Sequence, residues 1–129
     1  VLDVADAAPA DHVKIVRSVN HAAVSPQCRA IVHHGGAGTT AASVRSGRPT
    51  LVLWVGAEQP LWANSVKRLG VGTMRRFSKS TAETMRADLR SVLSPTCIAR
   101  AQTTAALMTP PDRSLATAAR LLEQAATEH

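Results

Sequence analysis

Aromatic side chains are nearly absent from this sequence. Of 129 residues, only Phe77, Trp54 and Trp62 are aromatic, and there is no tyrosine. Stacking platforms for single-stranded nucleic acid are therefore scarce, and a core must be built from Ala, Val and Leu. Cysteine is scarce too. Cys28 and Cys97 lie far apart and fit no metal or redox spacing, so they read as idle thiols of a reducing cytoplasm. No run approaches the ~18–20 apolar residues of a membrane span. No basic region followed by an apolar stretch marks a signal peptide. A P-loop lysine, the G-x-G-x-x-G spacing of dinucleotide folds and any D-x-D metal motif are also missing.

What is present suits one domain. The composition is 45% hydrophobic, enough to bury a core rather than stay disordered. The net charge is +6, which invites a polyanionic partner. Yet the basic residues are scattered from Lys14 to Arg120, with one denser group at Lys67, Arg68, Arg75, Arg76 and Lys79. A solvated basic face explains that pattern, with attraction to an anionic ligand or membrane surface next in order. The chain opens on VLDVADAAPAD without an initiating Met, as an excised piece of a longer protein would.

Residues 1–11 read as a loose lead-in. HVKIVRSV (12–19) carries β-branched residues at Val13, Ile15, Val16 and Val19 and predicts a short strand. NHAAVSPQ (20–27) predicts a turn and a short helix stopped near Pro26. CRAIVH (28–33) predicts a strand buried on both faces. TTAASVRSG (39–47) predicts a helix capped by Thr39 or Thr40 and closed by Gly47. PTLVLWV (49–55) is the clearest buried strand. GAEQPLWANSVKRLG (56–70) predicts a loop and a helix, with Pro60 at its start and Gly70 at its end. VGTMRRF (71–77) predicts a fourth, more polar strand nearer an edge. Helices are expected at 82–93, 95–107 and 114–126, with a break at MTPPDRS (108–114). Strands alternating with helices imply a parallel sheet joined by right-handed crossovers, and an α/β fold.

HHGGAGTT (33–40) stands where a buried strand gives way to a helix. Ligands of open parallel sheets bind beyond the carboxyl ends of the strands. A helix N-terminus there offers unpaired N–H groups and a partial positive charge. Glycines let an anion reach those groups without meeting a Cβ. Gly35, Gly36 and Gly38 would give access, and Thr39 and Thr40 could add hydroxyl donors, so the segment reads as a phosphate cradle. The same turn could also be no more than a tight connection. Neighbouring strand residues face opposite ways, so His33 and His34 do not share one metal ion. His34, beside the glycines, is placed to donate to a phosphate oxygen; His33 is assigned a structural role with a backbone partner. Glu58 and Gln59, after the next strand, sit at the same edge. They could bond a polyhydroxylated ligand, or Glu58 could merely favour the start of its helix.

HHGGAGTT, then GRPTLVLWVGAEQPLWA, then LGVG, with NHAAV upstream, together resemble the nucleotide-sugar-binding C-terminal domain of UDP-glycosyltransferase-superfamily enzymes. The flavour is that of the bacterial members acting on antibiotics, sterols and cell-surface glycolipids, and it covers residues 12–77. The resemblance implies a Rossmann-like parallel sheet with flanking helices, part of a GT-B fold. It implies that His34 and the backbone of Gly35, Gly36, Ala37, Gly38 and Thr39 hold the diphosphate of a UDP or dTDP sugar, with the Thr39 hydroxyl helping. Glu58 and Gln59 would grip the donor sugar; many relatives carry Asp at the position of Glu58. The region of Val16 to His21, with Val19 and His21 as the site residues, would recognise the base. Ala42 stands about where plant relatives have a ribose-binding Glu.

The resemblance also implies an inverting, metal-independent transfer of a hexose to a lipid or natural-product hydroxyl. It needs no cofactor besides the donor and no nucleic acid, and it implies a cytoplasmic place, compatible with peripheral attachment to the inner membrane face. The family's base and acceptor pocket lie in an N-terminal domain for which this chain has no room. Residues 1–129 would thus be one partial donor-binding domain with no catalytic residue of its own, binding donor at best. The first strands of that domain, central in the family's sheet, also lack room here. The strands expected at 12–19 and 28–33 should then pair directly, or two chains should associate through the bare edge. The alternatives are a basic, non-catalytic polyanion-binding module and an inactive remnant.

Overall fold

A computed structural model of the chain describes residues 10–127. The lead-in expected at residues 1–11 falls almost wholly outside the described residues. Three parallel strands form one sheet in the order β1 (Ile31–His33), β2 (Thr50–Trp54), β3 (Gly72–Arg76). Around it lie α1 (His21–Val24), α2 (Ala37–Arg45), α3 (Gln59–Leu69), α4 (Ala82–Val92), α5 (Pro95–Leu107) and α6 (Pro111–Thr127). The α/β class and the parallel pairing expected from the sequence are present.

β2 is central because it alone is apolar on both faces. Leu51 and Val52 are fully buried and Leu53 nearly so. Successive side chains alternate, so Val52 joins Val44 of α2, Ala63 and Val66 of α3, Val71 and Ala101 of α5 in one cluster. Leu51 and Leu53 face the other way, where α4 packs on β2 and β3. A two-point ion pair ties α4 to β3: Arg75 Nε donates to Asp88 Oδ2 at 2.6 Å and Nη2 to Oδ1 at 2.9 Å. β3 is an edge strand, as its polarity suggested, and it is the third strand rather than the fourth.

Helix ends follow local chemistry. Gly70 closes α3 at φ 72°, where its N–H bonds the Val66 and Lys67 carbonyls. Thr81 and Thr84 form a reciprocal cap on α4, and Ser94 caps α5 ahead of Pro95. Pro60 lies in the first turn of α3, where no N–H is missed. The break before α6 is shorter than expected: Pro111 starts the helix instead of delaying it to Ser114, because a proline is well placed at a first helical position. α6 has 17 residues and buries none of them. Leu115, Leu121 and Leu122 on it are 73%, 55% and 72% exposed.

Two expectations fail. Residues 12–19 form no strand; they are exposed throughout, with Val13 at 55% and Ile15 at 52%. β-Branched composition favours a pleated, half-buried surface, but a strand needs a ladder partner and these residues have none. The direct pairing expected between 12–19 and 28–33 is therefore absent, and among the described residues the sheet has three strands. The strand expected at 28–33 shrinks to Ile31–His33 and is not buried on both faces, since Val32 is 45% exposed. On that side β1 has no neighbour among the described residues.

Candidate functional site

β1 and β2 end side by side, with His33 paired to Val52, and the loops leaving them meet. Gly35 turns at φ 96°, a conformation reserved for glycine, and is buried. A Cβ built there would lie 2.7 Å from Val52 Cγ1, 3.3 Å from the Gln59 carbonyl oxygen and 3.4 Å from Gln59 Cβ. The glycine loop thus rests directly on the start of α3.

α2 begins at Ala37, with Gly36 as its extended cap residue. Neither Thr39 nor Thr40 caps it, contrary to expectation, because both already lie inside the first turn. The Thr40 hydroxyl turns inward and donates to the Gly36 carbonyl at 2.8 Å, while Thr39 stays exposed. The first intrahelical bond runs from Thr40 N–H to Gly36 O at 2.8 Å. The N–H groups of Ala37, Gly38 and Thr39 precede that bond and have no carbonyl one turn back. No atom lies within 4 Å of where a Gly38 Cβ would stand, so this end of the helix is open. His34 is exposed and its ring leans on the loop: a Gly36 Cβ would sit 2.8 Å from His34 Nε2. An exposed imidazole, three free amides and the positive end of a nine-residue helix therefore converge on one opening.

His33 lies on the opposite side of the strand, half-buried. Its Nδ1 accepts the Gly35 N–H at 2.9 Å, and its Nε2 is buried without a partner. Burial, aided by the neighbouring His34, pulls its pKa from 6.5 down to about 4. Unfolded, the ring takes up its proton near pH 6.5; folded, only near pH 4. The unfolded state binds more protons within that window, so stability is full above it and declines as pH falls through it. The shift corresponds to at most ~3 kcal/mol, and solvent around the half-exposed ring reduces this to about 1–2 kcal/mol. Urea melts above and below the window check this, and the acid loss should shrink in His33→Asn.

Glu58 is exposed at the head of α3, and its carboxylate makes no cap bond. Gln59 is already partly engaged: its Oε1 accepts Val55 N–H at 2.8 Å and Gly56 N–H at 3.3 Å. That leaves its amide NH2 free for a ligand. Just ahead of Glu58 lies the strained turn at Ala57, φ 53°.

A cleft runs along α2 from the glycine loop. Its nearer cavity, about 220 Å³, is lined by His21, Ser25, Ile31, Gly38, Thr39, Ala42 and Ser43. The farther one, about 330 Å³, adds Arg45, Ser46, Pro26 and Pro111. His21 and the loop thus share one space, whereas Val19 is exposed and lines neither cavity. Ser25 and Arg45 were not expected from sequence. Arg45 reaches the cleft from the end of α2, and Ser25 through the turn at Ser25–Gln27, which Arg48 anchors by donating Nε to the Pro26 carbonyl at 2.8 Å. A contact across 22 positions leaves no local trace. Among the described residues no group of three His, Cys, Asp or Glu is set to hold a metal ion, and no helix is long and apolar enough to cross a membrane.

Residues 3–121 match the family described as erythromycin biosynthesis protein CIII-like, C-terminal domain. An uncharacterized glycosyltransferase of Mycobacterium leprae is 58% identical over 119 residues, 92% of this chain and 28% of that protein. The vancomycin aglycone glucosyltransferase of Amycolatopsis orientalis is 39% identical over 107 residues, 83% of this chain and 26% of that enzyme. Among solved structures, the glycosyltransferase VinC in complex with dTDP superimposes with a TM-score of 0.73 at 27% identity, over 89% of this chain and 30% of VinC. The chain thus spans between a quarter and a third of the length of these proteins.

Proposed function

The chain belongs to the family of erythromycin biosynthesis protein CIII-like C-terminal domains, a family of glycosyltransferase domains, and from that premise we propose that it is a single donor-binding unit for a nucleoside-diphosphate sugar. The observation that carries this is the open end of α2, with the N–H groups of Ala37, Gly38 and Thr39 beside His34 and no Cβ in the way. The diphosphate sits there, held by those amides, by the His34 ring and by the Thr39 hydroxyl, over Gly35 and Gly36. The sugar lies toward Glu58 and the free amide of Gln59, because Gly35 brings α3 against the loop. The nucleoside occupies the cleft beside His21. VinC was crystallised with dTDP, and dTDP or UDP is the nucleotide proposed here.

In the parent reaction an acceptor hydroxyl displaces the nucleoside diphosphate with inversion. Charge grows on the leaving phosphate, and fixed dipoles aimed at it lower the barrier. The α2 amides and His34 do this work. A hexose as donor sugar and a lipid or natural product as acceptor complete the proposal, with the acceptor pocket and base on another domain and the reaction in the cytoplasm. The vancomycin relative, which acts on an antibiotic aglycone, supports a natural-product acceptor. A second copy at the bare edge of β1 is the homo-oligomer this reading allows.

Calorimetric titration with UDP, dTDP, GDP and ADP tests the reading. Base-selective binding is expected in the wild type and should be lost in His34→Ala. Gly38→Ala is the sharper variant. A methyl there meets no protein atom, so it should raise stability by about 0.5–1 kcal/mol as any Gly-to-Ala change within a helix does. It would nonetheless stand where the phosphate belongs and should weaken binding by roughly tenfold or more. Unchanged affinity in Gly38→Ala would place the anion elsewhere.

A further inference from the structure

We propose that the face formed by α2, α3 and α5 docks on an anionic phospholipid membrane, with a lipid acyl chain in the groove between these helices. The inference does not depend on the donor-site reading. α5 packs on α2 and touches α3 only sparsely, so space is left beside α3. One part of that space, about 230 Å³, lies between α2 and α3. Its wall is almost wholly apolar, with Ala41 and Val44 on one side and Trp62 and Val66 on the other. A second part, about 530 Å³, lies between α3 and α5. The two share Leu69, Thr104 and Met108, so they form one continuous groove.

Charge says what covers it. Arg68 and Arg100 line the far end, and Lys67 stands beside Arg68 in the last turn of α3. The segments that form α2, α3 and α5 contain no aspartate or glutamate. Neither arginine has an ion-pair partner among the described residues. An apolar trough with cations at one end, on helices without a carboxylate, fits an acyl chain with an anionic head. Each basic residue close to an anionic membrane surface adds roughly fivefold to binding. The occupant is a bilayer rather than one lipid carried in water, because Leu107 at the cationic end is 82% exposed and Leu69 47%. A lone chain in the groove would leave Leu107 in water, whereas a membrane interface takes it in. The bare leucines of α6 lack the same attraction: its Arg113 and Arg120 are matched in number by Asp112 and Glu123.

The experiment is sedimentation of the 129-residue chain with vesicles of equal parts phosphatidylcholine and phosphatidylglycerol, and with vesicles of phosphatidylcholine alone. Binding to the mixed vesicles is expected, weakening as salt rises, with little binding to the neutral ones. Arg68→Glu combined with Arg100→Glu should weaken it by more than about tenfold, and Leu107→Asp should weaken it severalfold. Leu121→Gln combined with Leu122→Gln, on α6, should leave it unchanged. All five side chains are exposed, so the variants should fold, as circular dichroism would check. In a Trp54→Phe background Trp62 is the only indole, and brominated acyl chains should quench it because it lines the groove. The proposal is overturned by no binding to the mixed vesicles, by equal binding to both kinds, or by binding that survives the arginine reversal. Binding that leaves Trp62 unquenched also overturns it. Should Trp54→Phe not fold, the sedimentation series decides alone.

Discussion

Gly35→Ala is expected to abolish nucleotide binding and to lower the melting temperature by about 10 °C or more. Two independent causes add. The backbone at φ 96° lies outside what an L side chain readily adopts, a strain of about 1–3 kcal/mol. The new methyl would also meet Val52 Cγ1 at 2.7 Å, and Val52 is a fully buried residue of the central strand. It cannot retreat, so overpacking adds about 1–3 kcal/mol more. Relief can come only by lifting the loop off β2 and α3, which carries Gly36 and the α2 amides away from His34. Thermal melts and dTDP calorimetry read the two effects together. An alanine variant that melts within a few degrees of wild type and still binds would show that the turn is not what holds the amides in place.

The larger effect on folding is expected at Gly72→Ala, far from the ligand. Gly72 lies beside Thr50 in the β2–β3 register. A Cβ there would stand 1.9 Å from the Thr50 carbonyl oxygen and 2.8 Å from both the Thr50 carbonyl carbon and Val66 Cγ1. The first obstacle is backbone, not a side chain with somewhere to go. Thr50 is itself pinned, its N–H bonded to the Val71 carbonyl at 3.0 Å. β3 would have to leave β2 by more than 1 Å at its start and take α4 with it through the Arg75–Asp88 pair. A loss of about 4–5 kcal/mol is expected, a large part of the ~5–15 kcal/mol that a domain of this size has. Expression of the variant, followed by circular dichroism and urea unfolding, should find little or no folded protein. A cooperative unfolding transition near the wild-type midpoint would mean that the strands separate more readily than the register implies.

The contrast between these sites shows what the sequence could say. TLVLW was legible as a buried central strand because continuous apolar character has one common cause. α3 was legible from Pro60 and Gly70, which act on their own backbone. The glycine loop stood out because its meaning is local: a strand, a turn without side chains, a helix. What could not be read depended on partners far along the chain. HVKIVRSV has the composition of a strand, but pairing is decided by a neighbour that the segment itself does not name. The same holds for Val32, expected to be buried and left half in water because α4, which covers that face, packs on β2 and β3. Gln59 was expected to bond a polyhydroxylated ligand. Its oxygen is bonded to the Val55 and Gly56 N–H groups, since amides left without ladder partners at a strand end take a nearby acceptor. Thr39 and Thr40 were judged good caps by residue type, yet glycine at 36 already met the geometric need. Strand alternation did place the two rings on opposite sides, with His33 inward and bonded to the Gly35 amide and His34 outward.

α6 can be considered in mechanical terms. It is a rod of 17 residues, about 25 Å long, with none of them buried. Its first residue, Pro111, forms part of the wall of the cavity that His21, Ala42 and Arg45 also line. Its free length carries Leu115, Leu121 and Leu122 bare to the surroundings. A body that gripped those leucines would hold one end of a rod whose other end stands at the wall of that cavity.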